Sequence, residues 1–389
     1  MATTVISGVQ YSGIWNISSQ ANAKAAGTWP NPPEPKLFTW GSGANGALGI
    51  GNTTNYSSPK QVGALTTWLK VTAGYLCSFA IKTNGTLWSW GQNDSGQLGL
   101  GNTTDYSSPK QVGALTNWSD ISSSYSSSIA LKTDGTLWTW GNNAYGQLGI
   151  GTSGAGTYKS SPVQVGALTT WYKVESGYLC SFAIKTDGTL WSWGANAQGR
   201  LGLGNTTYYS SPKQVGALTT WANISSAIDT GSVLAVKTDG TLWAWGNNTY
   251  GQLGLGNTTN YNSPVQVGSL TNWLSVEISQ INTAAVKTDG TLWTWGNNVS
   301  GQLGLGNTTN YSSPKQVGAL TSWLYIATGT QLTSSIKTDG TLWNWGRNNE
   351  GQLGLGNKTN YSSPKQVGTS TGWNKIAAGG THQISILTI

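Results

Sequence analysis

Apolar and β-branched residues along the chain come in short runs broken by Gly, Asn, Asp or Pro, with almost no helical signal. Such runs predict short strands joined by tight turns. Residues 182–194, FAIKTDGTLWSWG, are representative. Two apolar runs flank Asp187-Gly188, and an Asp-Gly pair supplies the two positive-φ residues of a two-residue hairpin turn. In the second run Trp191 and Trp193 sit two apart and therefore share one face of the strand. The glycine-dense GRLGLG that follows suits a strand edge where backbones approach closely. Ser211-Pro212 then opens an outer strand, PKQVG, where a missing N–H costs little.

The pattern repeats along the chain. A Trp-Gly pair recurs at Trp40, Trp90, Trp140, Trp193, Trp245, Trp295 and Trp345, with spacings of 50, 50, 53, 52, 50 and 50 residues. The hairpin reads Asp-Gly at Asp134, Asp187, Asp239, Asp289 and Asp339, and Asn-Gly at Asn84. About four short strands in each of seven units, each with one Trp-rich face, predict an all-β, seven-bladed propeller. The last unit ends in AAGGTHQISILTI before any hairpin, and the first begins midway, at Leu37, with LFTWG. These halves are complementary. Pairing HQISILTI with LFTWG builds one composite blade and removes the edges that an open ring would leave.

The unit G-x-x-x-S-x-A-I-K-T-D-G-T-L-W-x-W-G-x-N-x-x-G-Q-L-G-L-G, followed by S-P, resembles the repeat of the regulator of chromosome condensation family, and the resemblance covers residues 37–389. It implies a seven-bladed propeller, as the count does. It also implies three known roles: exchange factor for a Ran-like GTPase, bacterial inhibitor of β-lactamase, and plant UV-B photoreceptor with an arginine-bracketed Trp cluster. The last pattern is missing, because the chain has only Arg200 and Arg347. Most of its Trp residues are repeat positions, among them Trp68, Trp118, Trp171, Trp221, Trp273, Trp323 and Trp373, and core packing accounts for them. Residues 1–36 lie outside the repeat. Ser18 to Gly27 predict a short helix with Ser at its start and Gly at its end, and the prolines between Pro30 and Pro35 a stiff linker. Residues 7–30 resemble short segments of structural proteins of marine tailed bacteriophages, which implies docking on a particle; a strap packed over the propeller is the alternative.

Composition narrows the function classes. Only 8% of the 389 residues are charged, against about 25% in ordinary globular domains. With 11% aromatic residues and a net charge of +7, the chain is nonetheless a core-forming one. One His and two Cys exclude thiolate zinc clusters, a disulfide framework and any site needing two histidines. The start, MATTVISGVQYSG, lacks a basic region followed by an apolar stretch, and nothing approaches 18 consecutive apolar residues. Neither a cleaved export signal nor a membrane span is expected. Synthesis in a cytoplasm combined with a charge-poor surface rich in Ser, Thr, Asn, Gly and Trp points to the exterior of a virion.

Candidate sites follow from the repeat. His382 aligns with Cys77, Ser127, Cys180, Ser232, Asn282 and Leu332, and the seven are expected to ring the channel on the innermost strands, without forming a metal set. The two Cys belong to units that are not neighbours, so no disulfide is expected. Five of the thirteen acids are hairpin aspartates two residues from a Lys, while Glu175, Asp229 and Glu277 read as irregular inner-loop acids. No triad emerges, and no catalytic residue or enzyme activity is expected. The glycines of G-x-x-G-x-G lack a following GK[ST], so no nucleotide or other cofactor is expected. Lys60, Lys110, Lys213, Lys315 and Lys365 repeat at one position of SPKQVG. Spread around a disc, they read as a solvated edge and not as a nucleic-acid interface. Each unit carries a Tyr before Ser-Pro: Tyr56, Tyr106, Tyr158, Tyr209, Tyr261, Tyr311 and Tyr361. A flat apolar face among Asn and Thr suits a multivalent glycan reader or a protein interface, with packing on the neighbouring blade as the structural alternative. The inner loops are a rival surface, because otherwise near-identical units diverge there: Gly74-Tyr75-Leu76, Ser124-Tyr125-Ser126, Ile228-Asp229-Thr230, Gln280-Ile281 and Thr330-Gln331.

The leading expectation is a non-enzymatic virion structural or adhesion protein of a tailed bacteriophage. Residues 1–36 would dock it on other virion proteins, and residues 37–389 would face host glycan or neighbouring subunits. The alternative is a bacterial protein-binding propeller, inhibitor-like or scaffold. A GTPase exchange factor comes behind it, because near-identical repeats and sparse acids argue against that role.

Overall fold

The computed structural model describes residues 4–6, 9–11 and 34–388. Seven four-stranded antiparallel sheets surround a central axis, and within each blade chain order is spatial order. In one blade the strands run Trp68–Ala73, Cys77–Lys82, Leu87–Gly91 and Tyr106–Gln111 from the axis outward. The Trp that opens each unit begins the innermost strand, and innermost strands of successive blades touch. The composite blade closes the ring as the sequence predicts. His382–Thr388 lies between Trp373–Ala378 and Pro35–Gly41, with Pro35 opposite Thr388 and Gly41 opposite His382. Thr4–Ile6 and Val9–Tyr11 pair with each other. The helix expected at Ser18–Gly27, the proline linker and the phage-like segment lie outside the described residues, save for that strand pair.

Three local readings change. In the hairpin only the Gly has positive φ, for example Gly135 at 76°, and its N–H bonds back to the Lys132 carbonyl. The turn is therefore Thr-Asp-Gly, a tight turn closed by one left-handed Gly, and not a two-residue turn. The Asp caps it from the side: Asp134 Oδ1 accepts the N–H and the hydroxyl of Thr136, and the Thr136 hydroxyl accepts the Trp138 indole N–H at 2.9 Å. The outer strand begins at Tyr, three residues before Pro, as in Tyr209–Gln214. GQLGLG is a loop between the third and outer strands, and it carries the contact that joins blades.

No blade has a core of its own. Each hydrophobic cluster is built from two consecutive blades, as when Phe79 and Leu98 pack with Trp118, Ile121 and Trp140. Across the interface the buried Trp of each Trp-Gly pair donates its indole N–H to a carbonyl in the preceding blade's loop. Trp140 bonds to Gln97 O at 2.8 Å and Trp295 to Gln252 O at 2.9 Å; Trp345 alone of the seven lacks the bond. In most blades the residue paired opposite that Trp adds a second bond to the same carbonyl, such as Ser128 to Gln97 O at 2.9 Å. Two residues past the acceptor, a Gly lies against the indole. A Cβ at Gly254, whose φ is +77°, would stand 2.7 Å from Trp295 Nε1. We predict that Gly254→Ala costs about 1–3 kcal/mol in urea unfolding, whereas Gly268→Ala, where nothing lies within 4 Å, costs only its own backbone strain.

Candidate functional site

The innermost strands present two rings of side chains to the axis. Lys70, Asp120, Lys173, Asn223, Ser275, Tyr325 and Lys375 stand at one position, and Thr72, Ser122, Glu175, Ser225, Glu277, Ala327 and Ala377 two residues further on. All seven strands line an axial cavity of about 420 Å³. Glu175 and Glu277 were expected in inner loops; they lie within strands, on the channel wall. Glu175 joins three blades, accepting the Ser122 hydroxyl at 3.2 Å and the Ser226 N–H at 3.1 Å, and Glu277 accepts the Ser225 hydroxyl at 3.2 Å. Burial, and then the Glu277 charge, push the Glu175 carboxyl up to about 8, and burial pushes Glu277 to about 7. Lys70 pairs with Asp120, whereas Lys173 turns its ammonium to Asn223 Oδ1.

The loops between first and second strands form one mouth of this channel, and they interlock. The Tyr75 N–H bonds to Ser124 O, Gly380 to Tyr75 O, Thr330 to Gly380 O and Tyr178 to Ala227 O. Tyr75 and Tyr125 rings lie 5.0 Å apart, with Tyr125 43% exposed. Asp229 Oδ1 is buried without a partner, and burial raises that carboxyl to about 7. Burial, and then Asp229, raise the Tyr75 phenol, so the carboxylate is within electrostatic reach of it. Leu179 and Gln331 hold φ of 58° and 61° in these loops, a conformation unusual for residues with side chains of their size. Arg200 stands where most units have Gln and is buried beside Gly231. Its guanidinium bonds to Ala197 O and Tyr178 O, at 3.0 and 2.9 Å.

The residues singled out in the sequence fall elsewhere. Cys77, Ser127, Cys180, Ser232, Asn282, Leu332 and His382 open the second strands, not the innermost ones, and are buried between blades. The first strand and its loop separate them from the axis, so they do not line the channel. The Ser78 hydroxyl donates to Ala47 O, so His382 Nε2 donates to Ser78 Oγ, at 2.9 Å. Burial drives that imidazole down to about 4, and both residues are fully covered. Both Cys thiols are free and buried.

Tyr56, Tyr106, Tyr209, Tyr261, Tyr311 and Tyr361 open the outer strands, half-buried, with an Asn amide on each hydroxyl, at 3.0 Å for Asn257 on Tyr261. Tyr261 packs on the clusters of two adjoining interfaces. Lys60, Lys110, Lys213, Lys315 and Lys365 lie 5.3–5.5 Å above these rings and partly cover them. Tyr158 is not equivalent to the others. The inserted residues of its loop shift the register, so Lys159 pairs with Gly141 where Tyr106 pairs with Gly91, and Tyr158 is left 51% exposed. The tyrosines are thus outer-strand packing, without the open array that a glycan reader needs.

Two predictions follow from these placements. Folded Glu175 and Glu277 hold protons that carboxyls with the ordinary value of 4.5 release, so stability falls as pH rises from about 4.5 to about 8. Glu175→Gln with Glu277→Gln flattens that slope, raising Tm at pH 8 and leaving pH 4 almost unchanged in a thermal-melt series. Tyr261→Ala lowers stability by about 1–3 kcal/mol in chemical unfolding through lost burial, and Tyr158→Ala changes it by under about 0.5 kcal/mol.

Comparison with known proteins agrees with the architecture. The model of the regulator of chromosome condensation (RCC1) repeat matches residues 36–81, 84–131, 134–184, 187–228, 239–286, 289–336 and 339–386. Protein RCC2 of Homo sapiens is 39% identical over 88 residues, 22% of this chain and 17% of that protein. The ultraviolet-B receptor UVR8 of Arabidopsis thaliana is 31% identical over 99 residues, 25% of this chain and 22% of the receptor. These matches span about a fifth of the relatives' own length. Among solved structures, human WBSCR16 superposes with a TM-score of 0.81 at 21% identity, covering 91% of this chain and 98% of that one. Prp20p of Saccharomyces cerevisiae does so at 0.80 and 18%, covering 97% and 96%. Among the described residues no helix is long and apolar enough to cross a membrane. Seven matched repeats on seven closed blades leave one conclusion: the chain belongs to the regulator of chromosome condensation repeat family.

Proposed function

We propose that this chain is a non-enzymatic protein-binding propeller whose partner seats on the mouth formed by Tyr75, Tyr125, Tyr178, Asp229 and Gln331. One observation carries the reading: the blades repeat one another nearly residue for residue in strands, hairpins and interblade loops, and depart from sevenfold likeness chiefly at this mouth. A symmetric ring offers seven equal sites, and an asymmetric protein surface needs a single one. The mouth supplies it, with exposed aromatic surface, an unsatisfied carboxylate and left-handed non-Gly residues gathered together. The same architecture in Prp20p is described with binding to Gsp1p and histones, which supports binding as the kind of role and leaves the partner of this chain to be found. The particle-surface reading rests on residues 1–36, of which the structure describes little.

Affinity capture with cross-linking from the producing cell, scored against variants, tests the proposal. Tyr125→Ala and Asp229→Lys are expected to lose the captured protein at least tenfold while keeping the wild-type melting curve, and Tyr311→Phe on the outer strand to retain it. Equal capture by all three removes the mouth as the site. Enrichment of the chain in purified phage particles supports the virion placement, and its absence from them removes that placement.

A further inference from the structure

Two carboxylates share the axial cavity, and neither touches a cation. Glu175 is held by a hydroxyl and a backbone N–H, and Glu277 by a hydroxyl. Lys173, on the same strand as Glu175, bonds to a neutral amide instead. The single ion pair among the described residues, Lys70 with Asp120, lies one ring away. The cavity wall also holds two buried hydroxyls without a partner, Ser226 at 2% and Thr328 at 8% exposure. The opposite side of the same ring is Ala327 and Ala377, so the cavity has one acceptor-rich wall and one small apolar wall. Its volume of about 420 Å³ equals on the order of a dozen waters, enough for one long side chain. The approach from the mouth passes the Tyr75–Tyr125 pair and Asp229, which favour a cation with an apolar stem.

We infer that the axial cavity is a socket for one cationic side chain, a lysine or arginine presented by the bound protein, with Glu175 and Glu277 as its counter-charges and the tyrosine pair against its stem. The inference rests on the mouth being the protein-binding surface. A buried carboxylate pair without a cation is costly, and a donor-rich ammonium or guanidinium offsets that cost while filling the unpaired hydroxyls. Lys173 anchored on Asn223 keeps the socket from being filled internally.

Isothermal titration with two capped pentapeptides, Gly-Gly-Arg-Gly-Gly and its citrulline isostere, tests the socket on the full chain, with n-butylammonium as a free-cation arm. The arginine peptide is expected to bind at least tenfold more tightly than the citrulline peptide and than n-butylammonium. Glu175→Gln with Glu277→Gln is expected to abolish the difference between the peptides while remaining folded by thermal melt. Equal binding of the two peptides, no binding of either, undiminished arginine binding in the double variant, or n-butylammonium binding as tightly as the arginine peptide overturns the inference. In the capture experiment, loss of the partner with Tyr125→Ala but not with the double Gln variant overturns the socket and leaves the mouth reading standing. Retention in both overturns both.

Discussion

The indole-to-carbonyl hydrogen bond between consecutive blades is the constraint from which the rest of the propeller follows. It ties a buried Trp on one third strand to a loop of the preceding blade, with Trp90 on Ala47 O at 2.9 Å and Trp193 on Gln147 O at 3.0 Å. A buried carbonyl left unpaired costs about 1–3 kcal/mol, so the loop must come to the same place each time. Because the indole then fills the space beneath the loop, the chain above it has to be glycine. The hydrophobic clusters form only once two blades are joined in this way, which makes the ring the smallest unit with a core.

Within that frame the structure divides its labour. Lysines are rare in the sequence, and many spend their charge on aromatic faces. Lys132 lies 3.6 Å from the Trp138 centroid and 5.2 Å from that of Trp118, and the arrangement recurs at Lys185, Lys237, Lys287 and Lys337. These contacts fasten the hairpin side of each blade. The opposite side, where first and second strands connect, is free of such repeated fastening, and the chain varies there.

How much of this was legible in the sequence depends on what kind of contact carried it. Blade number and closure were plain, because the Trp-Gly pair is a ruler and HQISILTI lacks a partner anywhere except LFTWG. The interblade bond was hidden, since its acceptor is a main-chain oxygen that Ala47, Gln97 and Arg200 provide equally well. Alignment of units gave equivalent positions but not distance from the axis, so His382 and its counterparts were placed one strand too far inward. Tyr158 was misplaced by one register because an insertion lies between it and the preceding Gly-rich loop. Glu175 and Glu277 stood out as irregular acids, yet only the sheet register shows that they face one cavity.

The composite blade sets an order of events. Pro35–Gly41 is made before any other strand of the ring, and its inner partner His382–Thr388 is made last. On the ribosome, the earliest blade therefore waits as an unpaired sheet edge until synthesis reaches the final strand. The same ladder of hydrogen bonds fits a second copy's last strand as well as the chain's own. Closure is thus a race between an intramolecular search and encounters among nascent chains, and yield of the sealed ring falls as neighbouring ribosomes crowd together.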